Sequence, residues 1–331
     1  MKKLSDLLTE RTDVLKDLYG RAARGEQIRT YIPSGLKVLD QAGFGEQGTL
    51  AVLLGHSGEG KSALMLQLLE AAAKADFRAL AFLMEDPGDM VADRYLSRLY
   101  DLDPTKLRRI EEPNAMKKLK FLDEFGTPGW MDLVTIWDHS LPSDEMLEVV
   151  RTQLAAPGPP VGLIIVDYMQ IFTGELGENA ERVINKVTLT LNEIAKKHKC
   201  FVLVTSQLKT NEVMNRGDKE FNNWRFRHKQ EEPGLEAVMG YRPKAGDQAW
   251  AAQVLTQKAR AIWSIFRPAK YLARHVVLVP DETIMLFNDK SNYSGELNAP
   301  VTLRWQGDRL TISEPKNNGN VLPRKFDAGD F

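Results

Sequence analysis

The sequence has one cysteine in 331 residues, no long apolar run and almost no net charge. A lone thiol, Cys200, can form neither an internal disulfide nor a thiolate metal cluster. That excludes a disulfide-stapled secreted scaffold and fits a reducing cytoplasm. No stretch approaches the roughly 18 uninterrupted apolar residues of a membrane span, and Met1-Lys2-Lys3-Leu4-Ser5-Asp6 turns polar too early for a signal peptide. Lys and Arg number 44 against 45 Asp and Glu. No overall cationic field is therefore available to grip a polyanion, and any nucleic-acid contact has to come from a local patch. The five histidines, His56, His139, His198, His228 and His275, show no metal-cluster spacing. No Ser-His-Asp or Cys-His set stands out, and Cys200 opens an apolar run that reads as core.

What is present is globular material. Hydrophobic residues at 43% and charged residues at 27% suffice for a sizeable core and exclude wholesale disorder. The length allows two or three domains, or one large α/β unit with appendages. Leu4, Leu7, Leu8, Val14, Leu15 and Leu18 follow the three-four spacing of one helical face. They predict an amphipathic arm over residues 1–30, lying either on its own domain or on a neighbouring copy. The main domain is expected over 31–313, with a flexible Asn-, Gly- and Pro-rich tail at 314–331.

Within the main domain, apolar runs at Thr49 to Leu54, Arg78 to Met84, Gly162 to Asp167 and Cys200 to Thr205 alternate with helical patterns. Those patterns occupy Lys61 to Ala75, Met90 to Tyr100, Ser143 to Leu154 and Ala180 to Lys197. This alternation predicts an α/β fold, a mostly parallel twisted sheet with flanking helices. Leu163-Ile164-Ile165-Val166 is continuously apolar because both faces of such a strand are covered. Further short strands are predicted at Ala261 to Phe266, Val276 to Val279, Thr283 to Phe287, Val301 to Trp305 and Leu310 to Ser313. Residues 209 to 250 are polar and nearly aperiodic, and read as a long functional or disordered loop.

Gly55-His56-Ser57-Gly58-Glu59-Gly60-Lys61-Ser62 fits the phosphate-loop pattern of glycine, four residues, then Gly-Lys-Ser, between an apolar strand and a helix. Glycines allow a tight turn whose backbone N–H groups face inward, and with the helix start they form a positive concavity suited to phosphate oxygens. Lys61 adds a cation toward the terminal phosphates, and Ser62 a hydroxyl for Mg²⁺. The metal prefers oxygen ligands in near-octahedral array. Asp167, ending the most apolar run, is placed to be its second protein ligand at the strand-end crevice of an α/β sheet. Glu85 ends the next strand on the same edge and is the candidate base that polarises the attacking water, in preference to the adjacent Asp86. Gln207 follows the last parallel strand and can report loss of the terminal phosphate.

Beyond it, Lys209, Arg216, Lys219, Arg225, Arg227 and Lys229 are interleaved with Phe221, Trp224 and Phe226. Cations that follow phosphates and rings that stack on bases suit sequence-tolerant single-strand binding. A plain solvated loop is the competing reading.

Val166-Asp167-Tyr168-Met169-Gln170 and Val204-Thr205-Ser206-Gln207-Leu208, in this order after the phosphate loop, resemble the RecA-like ATPase core of DnaB-type replicative helicases. Ile32-Pro33-Ser34-Gly35-Leu36-Lys37-Val38-Leu39-Asp40 looks like that family's lead-in segment, and the resemblance covers roughly residues 10 to 310. It implies a RecA-like fold with carboxyl-terminal antiparallel strands, hexameric rings, ATP hydrolysis at subunit interfaces, and movement along single-stranded DNA. It also implies that central-channel loops follow Gln207. Two departures stand out. Only about thirty residues precede the core, so docking of primase in the family's usual manner is not expected. Where the family has a Lys-x-Arg pair reaching the neighbour's nucleotide, this chain has Lys290-Ser291-Asn292. An Asn cannot replace the finger's cation. Lys290 acting alone in trans, substitution by Arg267 or Arg304, and slow hydrolysis all stay open. The expected function is an ATP- and Mg²⁺-dependent helicase-like motor. The alternatives are a RecA-like nucleotide switch or loader serving another replication or recombination protein, and a recombinase-like filament former.

Overall fold

The computed structural model describes residues 3–26, 30–113, 115–169, 180–206, 208–229, 231–248, 253–275, 282–291 and 300–315. Nine strands are present among them: β1 (Thr49–Leu54), β2 (Arg78–Leu83), β3 (Val134–Trp137), β4 (Val161–Asp167), β5 (Phe201–Ser206), β6 (Ala261–Phe266), β7 (Thr283–Ser291), β8 (Val301–Gln306) and β9 (Thr311–Ser313). They form one sheet in the order β3-β2-β4-β5-β1-β6-β7-β8-β9. Neighbours from β3 to β6 are parallel, and β6 through β9 pair antiparallel. This is the mixed sheet that the pattern and the resemblance imply. Of the predicted strands, Val276 to Val279 lies outside the described residues.

Both faces of the parallel half are buried, and the period of two along each strand sorts side chains between them. Ala51 and Leu53 of β1 join Leu163 and Ile165 of β4 beneath the helix Lys61–Lys74. Leu50, Val52 and Leu54 join Ile164 and Val166 on the opposite face, covered by the helices Ser143–Ala155 and Ala180–His198. Covering both faces leaves the carboxyl-terminal strand edge as the open crevice. The register aligns that edge, with Leu54 beside Ser206 and Leu83 beside Asp167.

The stretch after residue 209 differs from the expected loop. Thr210–Arg227 is an 18-residue helix. Its buried face is only Val213, Gly217 and Phe221, spaced four apart. Glycine in the middle of that stripe conceals the periodicity from sequence. A Cβ at Gly217 would fall 2.1 Å from the Tyr241 ring, so the glycine is the seat for that tyrosine. Tyr241, Phe221, Val238, Tyr271 and Leu272 make a small satellite core there. Strand β3, at the sheet edge, is also absent from the sequence reading, because four residues, none of them fully buried, carry too little period-two signal.

The arm is a helix over Leu4–Ala23. Leu4 and Tyr19 are 72% and 74% exposed, with Leu8 and Val14 also exposed, so these apolar side chains do not lie on their own domain. No helix among the described residues is long and apolar enough to cross a membrane.

Phe44 joins the lead-in segment to the sheet. It is fully buried, with edge-on contacts to Phe201 at 5.4 Å and Trp263 at 5.2 Å. Phe44→Ala should cost about 3–5 kcal/mol through lost burial and the cavity left between two rings. Urea denaturation checks this as a lowered midpoint at unchanged slope.

Candidate functional site

The phosphate loop leaves β1 and turns into the helix Lys61–Lys74. Two positions in it admit only glycine. A Cβ at Gly55 would stand 2.4 Å from Ile265 Cγ2, and Gly60 takes φ +96° with Ile284 and the Trp305 ring closing over it. Lys61 bends back over the turn, its Nζ donating to Gly55 O at 2.7 Å and His56 O at 3.1 Å. Burial depresses the lysine's pKa, while Asp167, Glu59 and Glu85 act against that depression.

A cavity of about 740 Å³ opens along this edge, lined among others by Lys61, Ser62, Glu85, Asp167, Thr205 and Arg267. Asp167, the last residue of β4, is nearly buried and accepts a hydrogen bond from the Thr205 hydroxyl. Burial raises its pKa, opposed by that hydrogen bond and by Lys61. Glu85 is exposed at the rim. Partial desolvation, then repulsion from Asp167 and Asp86, raises its pKa. Asp86 is already committed to the guanidinium of Arg94, whose Nη1 donates to one carboxylate oxygen and Nη2 to the other at 3.2 Å. That pairing separates the two adjacent carboxylates. Both line the cavity, but Asp86 is spent on Arg94 of the helix Gly88–Tyr100.

Within the loop, Glu59 and His56 turn inward. Glu59 is fully buried, accepting from the His56 N–H at 2.9 Å and from the Tyr271 hydroxyl. Burial pushes its pKa up to about 7. The His56 ring is 5% exposed, neither of its nitrogens has a partner, and burial pushes its pKa down to about 4.

The structure brings Gly55 to Gly58, Gly60 to Ser62, Glu85 and Asp167 to one cavity, whereas Glu59 is turned into the protein and Gln207 lies outside the described residues. Lys290 is elsewhere. Its Nζ donates to the carbonyls of Thr256 at 2.8 Å and Gln257 at 3.4 Å, at the end of the short helix Gln253–Lys258. Asn292 lies outside the described residues. Of the two substitute arginines, Arg304 reaches Glu282 at 3.5 Å. Arg267 stands at the cavity, donating to Gly58 O at 2.8 Å and stacking 4.8 Å over the Trp305 ring.

The residues read as a nucleic-acid patch divide into two groups. Arg216 donates to the carbonyls of Gly240 and Arg242 and forms a two-pronged pair with Asp247, so its guanidinium is a structural tie. Trp224 packs against the satellite core and stacks on His228 at 4.8 Å. Lys209 pairs with Glu212 at 3.5 Å. Lys219, Arg225, Arg227 and Lys229 are exposed. The last three lie within three residues of Phe226 in the chain, and that ring is 74% exposed with the Lys229 ammonium 5.2 Å over it.

Thr205, Arg94, Lys270, Tyr271 and Trp305 escape a sequence reading. Thr205 has a signal, since it sits at a strand end next to the expected Gln207. The other four carry none, because their partners are defined only by folding.

Residues 31–231 match the family model described as the DnaB-like helicase C terminal domain. The replicative DNA helicase DnaB of Helicobacter pylori (strain J99) is 24% identical over 204 residues, which is 59% of this chain and 40% of that protein. The DnaB of Pasteurella multocida is 26% identical over 193 residues, 57% of this chain and 41% of that protein. The chain thus spans about two fifths of the length of these relatives. Among solved structures, one described as an ATPase domain superposes with a TM-score of 0.71 at 17% identity, covering 92% of this chain and 98% of that one. A DnaB-like replicative helicase described with its primase interactions gives 0.69 at 18% identity, covering 92% and 66%. At such identities the likeness is one of fold.

Because the fold holds Glu59 at about 7, above its ordinary 4.5, the neutral carboxyl is the better-tolerated form. Its contribution is complete below about pH 4.5 and is lost as pH rises through about 7. Glu59→Gln removes this titration. The stability difference in favour of the variant should therefore grow between those values by on the order of 3 kcal/mol, then level off. Urea melts across the pH series measure it, and a flat difference would show that Glu59 does not titrate there.

Proposed function

This chain belongs to the DnaB-like helicase C-terminal domain family, and we propose that it is an ATP-driven motor that binds and moves along single-stranded DNA as a homo-oligomer, in the ring form. The observation that carries the reading is the convergence of a phosphate loop, Asp167 and Glu85 on one cavity at the strand edge. In this reading the triphosphate lies along Gly55 to Ser62, with loop N–H groups on its oxygens and Lys61 transferred from the loop carbonyls to the terminal phosphates. Ser62 and Asp167 line the same cavity and offer hard oxygen donors, so a Mg²⁺ coordinated mainly by phosphate and water fits this donor set. When bound, the ion neutralises charge on the phosphate oxygens. Among the described residues no cluster of three or more His, Cys, Asp or Glu is arranged to hold a metal by itself. Glu85 would accept the proton of the attacking water. Its raised pKa keeps it a usable base, since a carboxylate nearer neutrality takes a proton more readily.

Gln207, next to the β5 end, is assigned the relay from terminal phosphate to the helix Thr210–Arg227, whose far end bears Arg225, Phe226, Arg227 and Lys229. We place the DNA contact there and exclude Arg216 and Trp224 from it. The exposed apolar face of Leu4–Ala23 supports assembly with neighbouring copies. A cytoplasmic location fits the lone, buried Cys200.

One observation favours the switch or loader. Lys290, the residue expected to act on a neighbour's nucleotide, is occupied by two helix-end carbonyls. Strand displacement on a forked substrate separates the two readings: ATP-dependent DNA binding without unwinding selects the switch.

Lys61→Ala should abolish MgATP turnover, whereas Glu85→Gln should keep nucleotide binding and slow hydrolysis by roughly 10²- to 10⁴-fold. Steady-state ATPase assays with calorimetric binding test this, and normal turnover in Lys61→Ala overturns the site. Replacing Arg225 and Arg227 together by Ala should flatten the salt dependence of single-strand binding by about 1.4 in log–log slope, two phosphate contacts' worth. An unchanged slope places the DNA elsewhere.

A further inference from the structure

Four successive carbonyls of the phosphate loop accept from cationic side chains. Gly55 O and His56 O accept from Lys61, Ser57 O from Lys270, and Gly58 O from Arg267. The next residue, Glu59, accepts from the Tyr271 hydroxyl through its side chain. Three consecutive loop residues, 57 to 59, are thus held by one five-residue segment, Arg267 to Tyr271, that follows β6 more than two hundred residues along the chain.

We propose that Arg267, Lys270 and Tyr271 are positioning residues that brace the phosphate loop in the conformation that receives a nucleoside triphosphate. The assignment rests on the nucleotide reading of this loop and deepens it. A trans peptide points its C=O and the following N–H in opposite directions. Ser57 and Gly58 both line the cavity. Holding the Ser57 carbonyl on Lys270 therefore fixes the plane of the peptide that carries the Gly58 N–H. Arg267 pins the next peptide through Gly58 O and is itself backed by the Trp305 ring. Tyr271 ties down the loop's buried carboxylate, which also receives the His56 N–H, so the loop is held at its start as well.

The brace acts when Lys61 leaves. A triphosphate takes that ammonium from the Gly55 and His56 carbonyls, removing one of the loop's internal ties and leaving those between His56 and Glu59. Lys270 and Arg267 then remain as the cations holding carbonyls in place, and added phosphate charge favours keeping them near. Around Glu59 the charged and titratable groups are Lys61, Lys270, Arg267, Tyr271 and His56. The segment therefore supplies cations beside a buried acid that would otherwise repel phosphate.

The experiment titrates MgATP calorimetrically into the full chain, its Lys270→Met, Lys270→Arg and Tyr271→Phe variants, and Lys61→Ala, alongside ATPase kinetics and thermal melts. Losing a hydrogen bond in which the donor or the acceptor is charged corresponds to roughly tenfold or more in affinity. Lys270→Met and Tyr271→Phe should raise both Kd and KM about that much with kcat within about twofold, and Lys270→Arg should recover most of the loss. Wild-type affinity in both Lys270→Met and Tyr271→Phe, while Lys61→Ala fails to bind, overturns the brace and leaves the nucleotide site standing. A fall in kcat at unchanged KM also overturns it, because Lys270 would then touch the transferred phosphoryl group. If Lys270→Met does not fold, Tyr271→Phe and Lys270→Arg decide by the same criteria. Absence of MgATP binding by the unaltered chain removes the nucleotide reading and the brace together.

Discussion

Lys61 stands among three carboxylates, Glu59, Glu85 and Asp167, at the one edge of the sheet that helices leave open, and the charge balance there governs the site. An ammonium withdrawn from water needs compensation, and buried carboxylates need it as much. The surroundings meet both needs with local partners. Loop carbonyls receive Lys61, Thr205 donates to Asp167, and Tyr271 with the His56 N–H donates to Glu59. Each acid is held in a different way, which leaves Glu85 at the rim as the one most open to a water molecule.

The sheet explains why these groups meet. β1, β4 and β5 lie side by side and parallel, so their ends and the turn after β2 open on the same crevice. Burial of both faces holds them there. The antiparallel half extends the sheet without adding to that parallel edge. Its contribution is the wall above the phosphate loop, where Ile284 and Trp305 close over Gly60, and the turn after β6 that carries the bracing side chains. The two halves of the sheet therefore serve one cavity, the parallel half by strand ends and the other by side chains reaching back across the loop.

Much of this is readable in residue order. The phosphate loop is local, eight consecutive residues with a strand before and a helix after. Asp167 and Glu85 are legible because each closes an apolar run, and in a parallel sheet run ends share an edge. Legibility ends where a signal is diluted or nonlocal. Thr210–Arg227 hides its helical face behind Gly217, whose lack of a side chain is what admits Tyr241. Arg216 looks like its exposed neighbours, Arg225 and Arg227, because charge in a polar stretch carries no mark of the carboxylate it will meet. Asp247 supplies that mark only after folding.

Residue order settles the fold class, the phosphate loop and the strand-end carboxylates, because apolar period and glycine spacing act between near neighbours in the chain. Which cations serve the loop and which are spent on structure is settled only by folding. Neither Lys270 nor Lys290 carries a mark in the sequence of the group it will meet, yet one reaches the phosphate loop and the other a helix end. The difference arises from where β6 and β7 set them down, since the reach of a side chain is only a few ångströms and its partner is chosen by distance in space.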